Sequence, residues 1–142
     1  MALPRGAGSP GASPTVYHAA RPAAPKYWQH LNVSDWQPGS RWEHRSADGR
    51  SELHLAGKVV ESDPPRRLVL TWAFPADEHD EAKHSLVTLA LEPFAGITRL
   101  TVTHDRLEPG SSMLTGITSG WPKVLSSLKS LLETGTALPR LW

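Results

Sequence analysis

His104 closes the run ITRLTVTH (97–104), and it is the residue through which this chain could do acid–base chemistry. An imidazole titrates closest to neutral pH, so at a cavity mouth it can hold a ligand or move a proton. Its strand parity matches Leu100 and Val102, which places it on the apolar side near a strand end. The same position also suits a core or rim histidine satisfied by a polar neighbour. Asp105 and Arg106 follow it, but adjacent strand residues point to opposite faces, so no triad is implied. The segment PADEHDEAKH (75–84) gathers Asp77, Glu78, His79, Asp80, Glu81 and His84. Metal binding needs ligands that converge and are held by a supporting shell. This segment reads instead as a solvated acidic hairpin tip, and no metal is expected. Trp28, Trp36, Trp42, Trp72 and Trp121 can line an aromatic pocket or fill a core. Trp72 and Trp121 are the stronger pocket candidates, because each lies on a face that must meet another layer. Trp142, after Pro139, reads as an exposed tail residue.

The elements that must carry these residues follow from periodicity. LHLAGKVVE (53–61) alternates, with Gly57 a candidate bulge. RLVLTWAF (67–74) puts Leu68, Leu70, Trp72 and Phe74 on one face. SLVTLALE (85–92) does the same with Val87, Leu89 and Leu91. RWEH (41–44) is a shorter run that ends at the Asp48-Gly49 turn. Period two with a polar opposite face indicates antiparallel strands covered on one side. Asp35–Gly39 and Asp63–Arg66 read as turns set by proline and glycine. YWQHLNVSDW contributes Tyr27, Trp28, Leu31 and Trp36 as large apolar groups. From Met113 to Leu132 apolar residues recur at three- and four-residue steps, which predicts one long amphipathic helix capped by Gly135. Ser119, Lys123, Ser126, Ser127, Lys129 and Ser130 fill its polar side. Pro122 allows a start near Gly120 or a kinked helix from Met113, and the upstream stripe favours the second. One apolar sheet face and one apolar helix stripe must pack together, giving a two-layer α+β domain.

Composition removes other classes. The chain has 142 residues, a formal charge of +1 and no cysteine. A near-neutral balance gives no basic face for nucleic acid. Without cysteine there is no disulfide framework and no thiolate chemistry, which suits a cytoplasmic setting. No apolar run reaches the ~18 residues of a membrane span, and MALPRGAGSPGASP lacks the apolar centre of a secretory signal. Residues 1–26 are broken by Pro4, Pro10, Pro14, Pro22 and Pro25 and read as a disordered or eroded segment. The folded domain is expected over 27–137, with 138–142 as a tail. Gly6, Gly8 and Gly11 lie in that first segment with no strand before them, so they make no cofactor loop, and no cofactor is expected.

Four segments in order carry a resemblance: DWQPGSRWEHRSADG, HLAGKVVESDPPRRLVLTW, SLVTLALEPFAGITRLTVTHDRL and GWPKVLSSLKSLLETG. Together they resemble the C-terminal-domain-like family of homologues of the activator of the ninety-kilodalton heat-shock protein ATPase. That family lies within the START-like, or SRPBCC, superfamily. The resemblance implies a helix-grip fold, an antiparallel meander sheet wrapped on a long C-terminal helix. Members of this superfamily normally begin with a strand and two helices. Here Thr15-Val16-Tyr17-His18 resembles that strand, but only AARPAAPK (19–26) separates it from Tyr27, so the N-terminal helices are reduced or missing. The sheet would then lose an edge strand and part of its cover.

The resemblance implies non-catalytic binding of a small apolar ligand between sheet and helix, or a chaperone-associated role. The ligand-binding candidates are Trp72, Val102, His104, Ile117 and Trp121. The implied partners are a small apolar molecule, a second copy of the chain or a chaperone. Nucleic acid and membrane are not expected. The alternatives are a polyketide cyclase or aromatase-like enzyme, with His104 its first residue to test, and a truncated domain that self-associates.

Overall fold

Alternating apolar residues and tight turns fold the middle of the chain into a meander. The computed structural model describes residues 2–3 and 30–139. Strands β2 (His30–Val33), β3 (Arg41–Ser46), β4 (Leu53–Asp63), β5 (Arg67–Trp72), β6 (Ser85–Phe94) and β7 (Ile97–Asp105) each pair antiparallel with their chain neighbours. A short strand, β1 (Ala2–Leu3), pairs with β7, placing Ala2 opposite Arg99 and Leu3 opposite Thr98. Among the described residues the sheet thus has seven strands in the order β1-β7-β6-β5-β4-β3-β2. The edge beside β7, expected to be left open, therefore carries a strand from the start of the chain. The strand expected at Thr15–His18, together with Trp28 and Trp142, lies outside the described residues.

Helix α1 (Ser112–Thr134) is the second layer. It begins at the upstream of the two expected starts and runs through Pro122. Ser111 caps it by accepting a hydrogen bond from the Leu114 N–H at 3.1 Å. Gly135, at φ 78°, closes it by donating to the Leu131 carbonyl at 2.9 Å. Ser127, assigned to the polar side by its residue type, is buried instead. Its Oγ accepts from the Leu138 N–H at 3.3 Å, which ties the segment after the helix back onto α1.

The core lies where the stripe meets the sheet. Leu68, Val87, Leu100 and Leu128 are almost fully buried, joined by Trp42 and Val59. Burying each leucine contributes about 1.5–3 kcal/mol relative to leaving it exposed. Leu70 faces Val87, and Leu91 faces Leu100, in the registers the alternation requires. One expectation needs correction. β5 ends at Trp72, so Phe74 lies beyond the strand and is exposed. HLNV forms an edge strand in which Leu31 and Val33 face outward, while His30 and Asn32 are half-buried.

Gly57 acts by close approach rather than as a bulge. The register shifts in β4 fall between Val59 and Glu61 against β5, and opposite His44 and Arg45 of β3. At Gly57 the Trp42 indole crosses the strand and donates to the Thr71 carbonyl at 2.8 Å. The Lys58 N–H takes the Thr71 hydroxyl at 2.8 Å instead of a ladder partner. A Cβ on residue 57 would lie 2.0 Å from the Thr71 oxygen and 2.7 Å from the indole nitrogen. Further along these strands, His30 of β2 and His44 of β3 share a cavity with the helix.

Candidate functional site

A cavity of about 330 Å³ lies between the first turns of α1 and the sheet. From the sheet side it is walled by His30, His44, His54, Leu55, Trp72 and Phe74. Met113, Ile117, Trp121 and Val124 wall it from the helix, and Gly116 and Gly120 leave room between them. The exposed residues His54, Phe74, Ser112 and Gly116 mark its mouth. Its size is within the range of small-molecule pockets, and its lining is mostly apolar and aromatic.

Two hydrogen-bonded groups shape the walls. The Trp121 indole N–H can only donate, and it lies 3.1 Å from His104 Nδ1. Nδ1 therefore accepts, and the neutral ring carries its proton on Nε2. Nε2–H faces Ser85 Oγ at 2.8 Å, and that hydroxyl donates to the Trp72 carbonyl at 3.0 Å. The relay joins α1, β7, β6 and β5. Burial pushes the His104 pKa down to about 4, against a smaller opposing effect of Asp105. The second group is built on His44. Its Nδ1–H donates to Asn32 Oδ1 at 2.6 Å. His30 stacks on it at 4.4 Å, and His54 meets His30 edge-on at 5.1 Å. Burial, with the neighbouring His30 and His54, pushes the His44 pKa down to about 3. The buried His44 and the half-buried His104 are therefore neutral at ordinary pH, and rings continue across the wall from His44 to Trp72 (6.3 Å) and from Trp72 to Trp121 (5.7 Å).

Trp72, Ile117 and Trp121 of the expected residues come together on the cavity. Val102 does not line it; it packs against the core. His104 sits behind Trp121 rather than at the surface of the cavity, with both ring nitrogens engaged. Trp36 and Trp42 belong to the core. His30, His44 and His54 were not foreseen. One signal was present, since His44 shares strand parity with the buried Trp42.

The 75–84 segment folds into two short helical turns, Pro75–Asp77 and Glu81–Lys83. It is tied down by the Arg41–Glu78 pair, with Nη2 to Oε2 at 3.0 Å, and by His84 Nε2 against the Glu78 carbonyl at 2.8 Å. Among the described residues, no group of three His, Cys, Asp or Glu side chains is placed to hold a metal ion. No described helix is long and apolar enough to cross a membrane.

A curled antiparallel sheet gripping one long C-terminal helix around a cavity defines a helix-grip protein. The family model described as "Activator of Hsp90 ATPase homolog 1-like protein" matches residues 16–133, and the chain belongs to that family. Solved structures of the same fold include the Aha1 dimer from Colwellia psychrerythraea, 20% identical with a TM-score of 0.70, covering 95% of this chain and 93% of that one. DynU16, from the dynemicin biosynthetic locus, is 21% identical with a TM-score of 0.73, covering 96% of this chain and 46% of that one. The HSP90 activator PFC0360w from Plasmodium falciparum is 19% identical with a TM-score of 0.65, covering 92% and 89%. No curated protein matches the chain.

Proposed function

We propose that this domain binds a small, uncharged apolar molecule in the cavity between α1 and the sheet. The observation that carries the reading is the 330 Å³ cavity walled by Trp72, Trp121, Ile117 and Met113. His44, the buried imidazole of the wall, is held neutral by desolvation, and the rest of the lining is largely aromatic and aliphatic, which suits an apolar ligand. Binding fits better than turnover, because His104, the candidate acid–base group, spends both ring nitrogens on Trp121 and Ser85. Trp72, Ile117 and Trp121 are the residues we assign to the ligand; Val102 and His104 support them from behind.

Native mass spectrometry of the purified protein, followed by denaturation and identification of what is released, tests the reading. A co-purified apolar molecule supports it. An empty protein that also fails to take up an uncharged fluorescent probe defeats it.

Family membership supports a second reading, association with a chaperone, since the family model and one similar structure carry the name of an Hsp90 activator. An unchanged Hsp90 ATPase rate on addition of the protein would remove it. Self-association is supported by the outward-facing Leu31 and Val33 on edge strand β2. A monomeric mass at all concentrations in sedimentation would exclude that partner.

A further inference from the structure

We infer that the Trp121 indole is a movable partition between two chambers of one pocket and that His104 sets its position; the inference rests on the ligand-binding reading. The outer chamber is the 330 Å³ cavity. Behind it, towards Leu70, Val87, Leu100 and Leu128, lies a void of about 30 Å³. Trp72, Trp121 and Val124 line both spaces, so these three side chains form the wall between them.

The three are not equally fixed. Trp72 and Val124 are each 4% exposed and packed into the core, whereas Trp121 is only half-buried. The Trp121 ring is tied to the sheet through His104, whose own orientation is set by Ser85 and, through it, by the Trp72 carbonyl. A side chain held this way has one defined position when the bond is made and a way out when it is not.

There is also room for it to move. Gly116 and Gly120 precede Trp121 on the helix and line the outer chamber, and among the described residues a Cβ on either would meet nothing within 4 Å. Glycine inside a helix lowers its stability relative to alanine, and no close backbone approach explains these two. What they provide is space on the cavity side of α1. An indole swung out through the mouth past the exposed Gly116 leaves the wall, and the outer chamber then runs through to the inner void. The latched pocket takes a compact uncharged apolar molecule; the opened one takes an elongated apolar chain lying between α1 and the sheet. His104 is in this account a positioning residue that decides ligand length.

The test is displacement of the uncharged fluorophore N-phenyl-naphthylamine by straight-chain alcohols from butanol to dodecanol. It is run on the unaltered protein, Trp121→Ala and His104→Leu, with near-ultraviolet circular dichroism as the check of folding. In the unaltered protein each added methylene should tighten binding about fourfold until the outer chamber is full, and then the gain should stop. In both variants the gain should continue to longer chains, leaving the longest alcohols bound at least about tenfold tighter than in the unaltered protein. A break at the same chain length in all three proteins overturns the partition while leaving the cavity as a binding site. A break moved by Trp121→Ala but not by His104→Leu overturns the role of His104. If Trp121→Ala fails to fold, His104→Leu, which keeps the indole, decides the matter. Failure of every alcohol and of the fluorophore itself to bind overturns the ligand-binding reading and this inference with it.

Discussion

The Trp121 indole N–H meets His104 Nδ1 at 3.1 Å, and this bond fastens the helix to the last strand of the sheet. His104→Leu keeps much of the ring's bulk but leaves the indole N–H and the Ser85 hydroxyl without that partner. Loss of a partner for a buried polar group costs about 1–3 kcal/mol. Urea denaturation should show a destabilisation of that size, with a change in tryptophan emission. A variant as stable as the original would mean that the relay contributes little.

Acid should weaken the fold through the two depressed histidines. Each starts from an ordinary value of 6.5; His104 falls to about 4 and His44 to about 3 in the folded protein. Between those limits the unfolded chain binds protons that the folded chain does not, so stability rises with pH across the window. The full contribution is present above about pH 6.5 and declines towards pH 4 and then pH 3; most of it comes from the buried His44, because solvent screens the half-buried His104. Unfolding free energies measured from pH 7 down to pH 4 check this, and the slope should diminish in His44→Gln.

Leu128 is 1% exposed at the centre of the helix–sheet contact. Leu128→Ala should cost about 2–5 kcal/mol by lost transfer free energy and the cavity left behind. Leu138→Ala, at 36% exposure, should cost far less. Equal losses in thermal or urea unfolding would show that the helix stripe is not the core.

Gly57→Ala should be among the most damaging small changes in the chain. The new methyl would lie 2.0 Å from a backbone oxygen, which cannot yield as a side-chain tip would. A loss of about 3 kcal/mol or more, at the upper end for overpacking, is expected, seen as poor folding or a large drop in melting temperature.

Gly116→Ala should act the other way. Its Cβ meets nothing, so the helix should gain up to about 1 kcal/mol while the cavity shrinks. The expected pair of results is a higher unfolding midpoint and weaker binding of a large apolar probe. A stabilised variant with unchanged binding would show that Gly116 does not contribute to the site.

The fold was legible wherever one pattern ran for long enough. Five or more alternating residues fixed β5, β6 and β7, and the stripe from Met113 to Leu132 fixed the helix and its upstream start. The site was legible only in part. Trp72 and Trp121 announced themselves by size and face, but the histidine wall comes from three separate strands, and its formation depends on ring contacts between them that no single strand's pattern carries. Strand parity located His104 on the correct side, yet it could not show that Trp121, on another element, would cover the ring. Ser127 was misplaced because its residue type was allowed to outweigh its spacing from Val124 and Leu131, which puts it on the buried stripe, where the Leu138 N–H satisfies its hydroxyl.

The strand order has a consequence for how the molecule assembles. From β2 to β7 every strand pairs with the next one along the chain, so these pairings close short loops at small entropic cost. β1 instead meets β7 across about two thirds of the chain, opposite Arg99 and Thr98, and two residue pairs must offset that closure. Hairpins should therefore form first, α1 should dock on the sheet they make, and the terminal strand should add last. Pulsed hydrogen exchange would then find β5 to β7 amides protected before Thr98 and Arg99 gain their outer partner, and a nascent chain could form the meander from β2 to β7 before β1 joins its edge.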